Sequence, residues 1–220
     1  MNRLLLIVSI ALALVLTACA TPQRGAADVS MPAAQPEDPL VRQLANGGYV
    51  VVFRHGKTEQ AFQDKLDKPG WWKSCDTRSS RVLSDEGRAQ MLAIGDNMRA
   101  LRIPVAQVVA SEYCRAFDSG LLLQLMPVAQ SAMLNFPDAQ RTLGRSDMQI
   151  TADLRVLFST PPPARSNIIL IGHVHGFNPP IDPVFQQLQE AEAAVLRPTG
   201  EGKFEIVGRI TADKWALRVK

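Results

Sequence analysis

The sequence predicts an α/β domain in which a mainly parallel sheet is sandwiched between two layers of helices, a three-layer α/β/α arrangement. Three observations carry the prediction. Residues 49–53, 107–110 and 167–171 are short apolar runs without polar alternation, as expected of strands buried on both faces. Segments with helical patterning lie between them. Each run also ends in a polar cluster, where the ligand crevice of an open α/β sheet lies.

Taken in order, Gly47-Gly48 precedes the first strand, Tyr49-Val50-Val51-Val52-Phe53, which ends in Arg54-His55-Gly56. Residues 57–80 are irregular and hold Lys68-Pro69-Gly70, Trp71-Trp72 and Cys75, the composition of a lid or substrate loop. Ser84 is placed to cap a helix with Asp85 and Glu86 in its first turn, where acids suit the helix dipole. That helix runs through Met91, Ile94 and Met98, its core face, to about Leu101. Ile103-Pro104 turns the chain into the second strand, Gln107-Val108-Val109-Ala110, and Ser111-Glu112-Tyr113-Cys114-Arg115 follows directly. A leucine-rich helix begins near Ala116 and fades by Leu125, before a poorly patterned stretch to Pro161-Pro162-Pro163. The third strand, Asn167-Ile168-Ile169-Leu170-Ile171, ends in Gly172-His173-Val174-His175-Gly176. Ala193 to Leu196 and Phe204 to Val207, separated by Pro198-Thr199-Gly200-Glu201-Gly202, read as a terminal hairpin.

The amino-terminal residues read as an address. Met1-Asn2-Arg3 supplies a positive start, and residues 4–16 are apolar but too few to span a bilayer comfortably, so residues 1–18 are expected to be a signal peptide. Leu16-Thr17-Ala18-Cys19 resembles the bacterial lipobox, which implies lipidation of Cys19. An ordinary signal peptide cut near Ala18 or Ala20 is the alternative. Ala20 stands where an aspartate would signal inner-membrane retention, which favours an outer-membrane anchor facing the periplasm. Residues 19–39, rich in Ala, Pro, Gln and Gly, are expected to form a flexible tether, and residues 40–220 one domain. The expected partners are the membrane, through Cys19, and a small-molecule or surface-attached substrate. A net charge of +3 without any basic run does not imply nucleic acid. With Cys19 assigned to lipid, Cys75 and Cys114 remain as a disulfide pair in an oxidising compartment, or as two unrelated thiols. Three histidines, two of them in one short loop, match no zinc spacing, and neither a metal nor another cofactor is implied.

The polar clusters at the strand ends bring two arginines and two histidines toward one crevice. Guanidinium forks match phosphate oxygens, and an imidazole is a nucleophile that needs no metal, so the chemistry suited to this set is phosphoryl transfer. Considered singly, each residue has a structural reading: a histidine after a strand is commonly bonded to backbone, and an arginine at a helix start is commonly solvated.

Four segments together resemble the histidine phosphatase superfamily, which includes the phosphoglycerate mutases. Val50-Val51-Val52-Phe53-Arg54-His55-Gly56-Lys57-Thr58 resembles its signature. Leu83-Ser84-Asp85-Glu86-Gly87-Arg88-Ala89-Gln90 is similar to its Leu-Thr-x-x-Gly-x-x-Gln helix start, and Ser111 to Ala116 to its Ser-x-x-x-Arg-Ala segment. Leu170-Ile171-Gly172-His173 matches its Gly-His motif. The resemblance implies a phosphoglycerate-mutase-like fold, His55 as nucleophile, His173 as a second catalytic imidazole, and Arg54, Arg115 and Thr58 as phosphate ligands. Positive neighbours would keep His55 neutral, and the Gly56 carbonyl would accept the other ring N–H. His175 is expected to be a loop or rim residue, and Trp71 and Trp72 either to pack under the lid or to line the entrance.

One element of the family pattern is missing. Many relatives supply a leaving-group proton from a Glu between the second arginine and the second histidine, and this chain has no Glu from 113 to 189. Asp138, Asp147 and Asp153 lie in that span, and Glu59, Glu112, Asp182 and Glu190 outside it. An exported location argues for hydrolysis over mutase chemistry. The expected function is a phosphomonoester hydrolase acting through phosphohistidine in the bacterial envelope; the alternative is an inactive anion-binding or scaffold lipoprotein of the same fold.

Overall fold

The computed structural model describes residues 35–36, 38–65, 70–174 and 181–218. The expected signal peptide, Cys19 and His175 lie outside them. Strand β1 (Gln35–Pro36) pairs antiparallel with β8 (Leu217–Arg218), so residues read as tether belong to the domain's own pairing. Helix α1 (Pro39–Gln43) follows, capped by Asp38, whose carboxylate accepts from Leu40 N at 2.8 Å.

The main sheet is built from β2 (Val50–Arg54), β3 (Val105–Ala110), β4 (Val128–Gln130), β5 (Asn167–Gly172), β6 (Ala193–Gly200) and β7 (Lys203–Ile210), in the order β4-β3-β5-β2-β6-β7. Strands β2 to β5 run parallel, while β6 lies antiparallel to β2 and β7 to β6. The mainly parallel sheet and its closing hairpin are as the sequence predicts. Strand alternation divides the core. Val51, Phe53, Val108, Ala110, Ile169 and Ile171 face α2 (Asp85–Ala100), α3 (Cys114–Leu123) and Trp215. Val50, Val52, Val109, Ile168 and Leu170 face α5 (Asp147–Ser159) and α6 (Val184–Gln187). Two core faces explain why these strands read as unbroken apolar runs. Buried Asn167 joins the strand starts, with Nδ2 donating to Leu44 O and Pro104 O and Oδ1 accepting from Tyr49 N.

The poorly patterned stretch contains β4, α4 (Pro137–Thr142) and α5. Helix α5 opens with a capping box in which Ser146 and Gln149 satisfy each other's backbone, a signal present in the sequence. Its periodicity is blurred because Met148 and Val156 are apolar yet exposed.

Cys75 and Cys114 form a disulfide with Cα atoms 5.3 Å apart, tying the loop after Trp71–Lys73 to the first residue of α3. Closing a 39-residue separation stabilises the fold by roughly 3 to 4 kcal/mol in the chain-entropy model. Cys75→Ser is therefore expected to lower the denaturant midpoint of the oxidised protein by a free energy of that size, and added reductant to shift the parent toward the same midpoint.

Candidate active site

Strand β2 delivers His55 to the carboxyl edge of the sheet. The pairing continues into the motif, with His55 N donating to Gly172 O at 3.0 Å and Arg54 N to Glu192 O at 3.0 Å. The His55 ring is buried, and its Nδ1 lies 2.9 Å from Gly56 O. A carbonyl only accepts, so Nδ1 carries the ring proton and Nε2 carries the lone pair. Arg115 Nε donates to that Nε2 at 3.3 Å. Burial is the main force holding the imidazole well below its usual pKa. The charge of Arg115 adds to it, the Gly56 bond opposes it, and Arg54 and Arg81 add smaller contributions. His55 is neutral at physiological pH.

The motif glycines have a packing reason. A Cβ on Gly87 would overlap the Lys57 backbone, so the start of α2 lies directly against the chain that follows His55. Ser84, the cap of α2, binds there too, its N–H donating to Lys57 O at 3.0 Å. A Cβ on Gly56 would meet Gly87 O and Met91 at 2.9 Å. Gly56 N donates to Ser119 Oγ, which donates to Arg115 O, fastening β2 to α3.

Arg115, in the first turn of α3, is buried and fixed from several sides. Its Nη1 donates to Asp64 at 3.1 Å, and its guanidinium lies 4.6 Å above the Tyr113 ring. Burial lowers its pKa and the Asp64 carboxylate opposes that, but an arginine stays charged throughout. Asp64 also accepts from Arg81 N at 2.9 Å. Buried His173 directly follows β5, its ring centroid 5.3 Å from that of His55 and 4.5 Å from that of Tyr113.

These residues enclose a cavity of about 280 Å³. His55, His173, Arg81, Arg115, Asp64, Asp138 and Gln63 supply its polar lining; Trp71, Phe136 and Val174 supply the rest. Trp71 thus combines the two expectations for it, being both buried and cavity-lining, whereas Trp72 packs underneath and donates to Glu112. Arg81 and Asp64 escaped the sequence reading. Both come from irregular backbone, where no periodicity marks an inward residue.

Arg54 and Thr58 stand apart from this set. Arg54 donates to Leu188 O at 2.9 Å and lies 3.7 Å from Glu190, and Thr58 Oγ1 donates to Glu190 at 2.6 Å. Both engage Glu190, and neither is among the cavity-lining side chains. The other candidate acids are also placed elsewhere. Glu112 pairs with Lys73, Asp153 with Arg145 and Asp147 with Arg141, while Asp182 accepts from Val184 N. Glu59 accepts from Ala61 N. Of the acids considered from sequence, Asp138, which also pairs with Arg141 at 3.0 Å, alone lines the cavity. Among the described residues, no three His, Cys, Asp or Glu side chains group to hold a metal ion.

Since the unfolded chain protonates His55 at its ordinary pKa and the folded chain does not, acidification below about pH 6.5 should favour unfolding. The effect approaches about 1.4 kcal/mol per pH unit. Denaturant titrations from pH 7.5 to 5.5 should show stability falling less steeply in His55→Gln than in the parent, by up to one proton's worth of slope.

No protein-family model matches the chain, and no curated protein matches it by sequence. Solved structures do. The protein histidine phosphatase SixA, in its tungstate complex, aligns with a TM-score of 0.51 at 14% identity, over 76% of this chain and 99% of that one. A putative phosphohistidine phosphatase SixA from Agrobacterium tumefaciens aligns at 0.46 and 12% identity, over 74% and 98%. A phosphoserine phosphatase mutant from Entamoeba histolytica aligns at 0.48 and 10% identity, over 76% and 98%. At 14% identity the likeness to SixA is one of fold alone: the chain has the α/β architecture of that protein histidine phosphatase, over nearly its whole length.

Proposed function

We propose that this chain is a phosphomonoester hydrolase that works through a phosphohistidine at His55, held at the bacterial envelope by a lipid on Cys19. One observation carries the reading: a buried, neutral imidazole has its lone pair on Nε2, beside a guanidinium, in a cavity lined by two arginines. In the first step His55 Nε2 forms a bond to phosphorus as the bond to the leaving oxygen breaks, while Nδ1–H stays on Gly56 O. Arg115, Arg81 and His173 hold the phosphoryl oxygens, and Arg54 contributes its field from behind the ring. Asp138 is the acid that the geometry offers for the leaving oxygen. In the second step water attacks phosphorus, gives a proton to Asp138, and the N–P bond breaks to release phosphate and neutral His55. The phosphate displaces the Asp64 carboxylate from Arg115.

Alkaline quenching of the parent with labelled aryl phosphate should trap an acid-labile, base-stable phosphoenzyme, absent from His55→Ala. Folded parent with no turnover on any phosphoester would overturn the reading in favour of an anion-binding scaffold. Asp138→Asn should slow alkyl phosphates by about 100-fold or more and aryl phosphates far less, because an aryl oxide leaves without a proton. Equal slowing of both would remove Asp138 from the acid role. For the anchor, Cys19→Ser should yield protein that incorporates no labelled fatty acid and does not sediment with membranes.

A further inference from the structure

A hydrogen-bond chain outside the cavity ends on the second imidazole. Asn135, fully buried just after β4, has an amide whose orientation its neighbours settle. Its Oδ1 lies 2.9 Å from Glu112 N, a group that only donates, and its Nδ2 lies 2.9 Å from Glu112 Oε2, a carboxylate oxygen. Asn135 Oδ1 is therefore also the acceptor for Ser111 Oγ, at 2.9 Å. Ser111 has one proton, and this bond uses it. The same Oγ accepts from Tyr113 N at 3.2 Å and lies 3.0 Å from His173 Nε2. With the hydroxyl proton spent, that last contact exists only if Nε2 bears hydrogen.

Glu112 closes the chain. Burial disfavours its charge, but hydrogen bonds from Asn135, Trp72 and Lys73 together hold its carboxyl below the usual carboxylate range. The chain thus runs from imidazole to hydroxyl to amide to an ionised carboxylate, each member donating toward the next.

We propose that Asn135 is a positioning residue for the second imidazole: by taking the Ser111 proton it obliges His173 to carry hydrogen on Nε2. The two histidines of the site then have opposite tautomers. His55 is protonated on Nδ1 and nucleophilic at Nε2, whereas His173 is anchored through Nε2–H. Held this way, His173 does not compete as a nucleophile through Nε2. The catalytic consequence rests on the phosphatase reading; the tautomer does not.

Long-range proton–nitrogen ring spectra of the full-length, nitrogen-15-labelled chain at neutral pH test this directly, with three histidines to assign and His173→Gln to identify one. The expected spectrum shows hydrogen on Nδ1 of His55 and on Nε2 of His173. In Asn135→Leu, Ser111 is free to donate, so His173 Nε2 should shift toward its unprotonated resonance. Turnover should fall by about tenfold, in kcat more than in KM, and the loss should largely vanish in a Ser111→Ala background. A parent His173 protonated on Nδ1 alone would overturn the proposal, and so would an unchanged Nε2 in Asn135→Leu or full additivity with Ser111→Ala. The parent spectrum decides the tautomer even if Asn135→Leu does not fold. The expected tautomers in a protein without turnover would instead refute the phosphatase reading and leave the tautomer assignment standing.

Discussion

The site depends on keeping one imidazole dry and uncharged among three guanidinium groups. Burial and the fields of Arg115, Arg54 and Arg81 all oppose protonation of His55, leaving its lone pair available. That state requires β2 to be covered on both faces, since a strand with one wet face would admit water behind the ring. It also requires the backbone after His55 to turn tightly enough for Gly56 O to meet Nδ1. The absence of Cβ atoms at Gly56 and Gly87 permits that turn against α2.

Crowding positive charge into a low-dielectric site is costly unless carboxylates answer it. Two do so. Glu190 meets Arg54 and Thr58, outside the cavity lining, and Asp64 lines the cavity and meets Arg115. The two pairs differ in consequence. Glu190 is not among the cavity-lining residues, whereas Asp64 is, and its carboxylate keeps the buried Arg115 guanidinium partnered.

The segment that supplies Asp64 is fastened at separated points along its length. Asp64 meets Arg115, Trp72 Nε1 donates to Glu112, and Cys75 is bonded to Cys114. Each fastening lands on residues 112–115, which run from the end of the β3–α3 connection into the first turn of α3. Ser111, immediately before these residues, meets His173, so Arg115, the second imidazole and the loop that supplies Asp64 share one support. Rigidity there holds several groups in register at once, which is how a site is pre-organised before a ligand arrives.

The three buried strands, the capped helix α2, the closing hairpin and the four motif segments were legible in the sequence because each rests on local signals: unbroken apolar runs, a cap with acids after it, a turn between strands. His55, Arg115 and His173 could be named for the same reason, each lying directly at or after a strand end, where chain order alone predicts convergence. The short strand β4 and helices α4 and α5 were not legible, since exposed Met148 and Val156 blur the pattern. Which acid lines the cavity, that Arg54 and Thr58 turn to Glu190, and that Asp64, Arg81 and Asn135 belong to the site were decided by tertiary structure alone. These are choices of side-chain direction, made by distant partners competing for the same hydrogen bonds. Sequence order determines which groups arrive at the crevice; only packing determines which way they face.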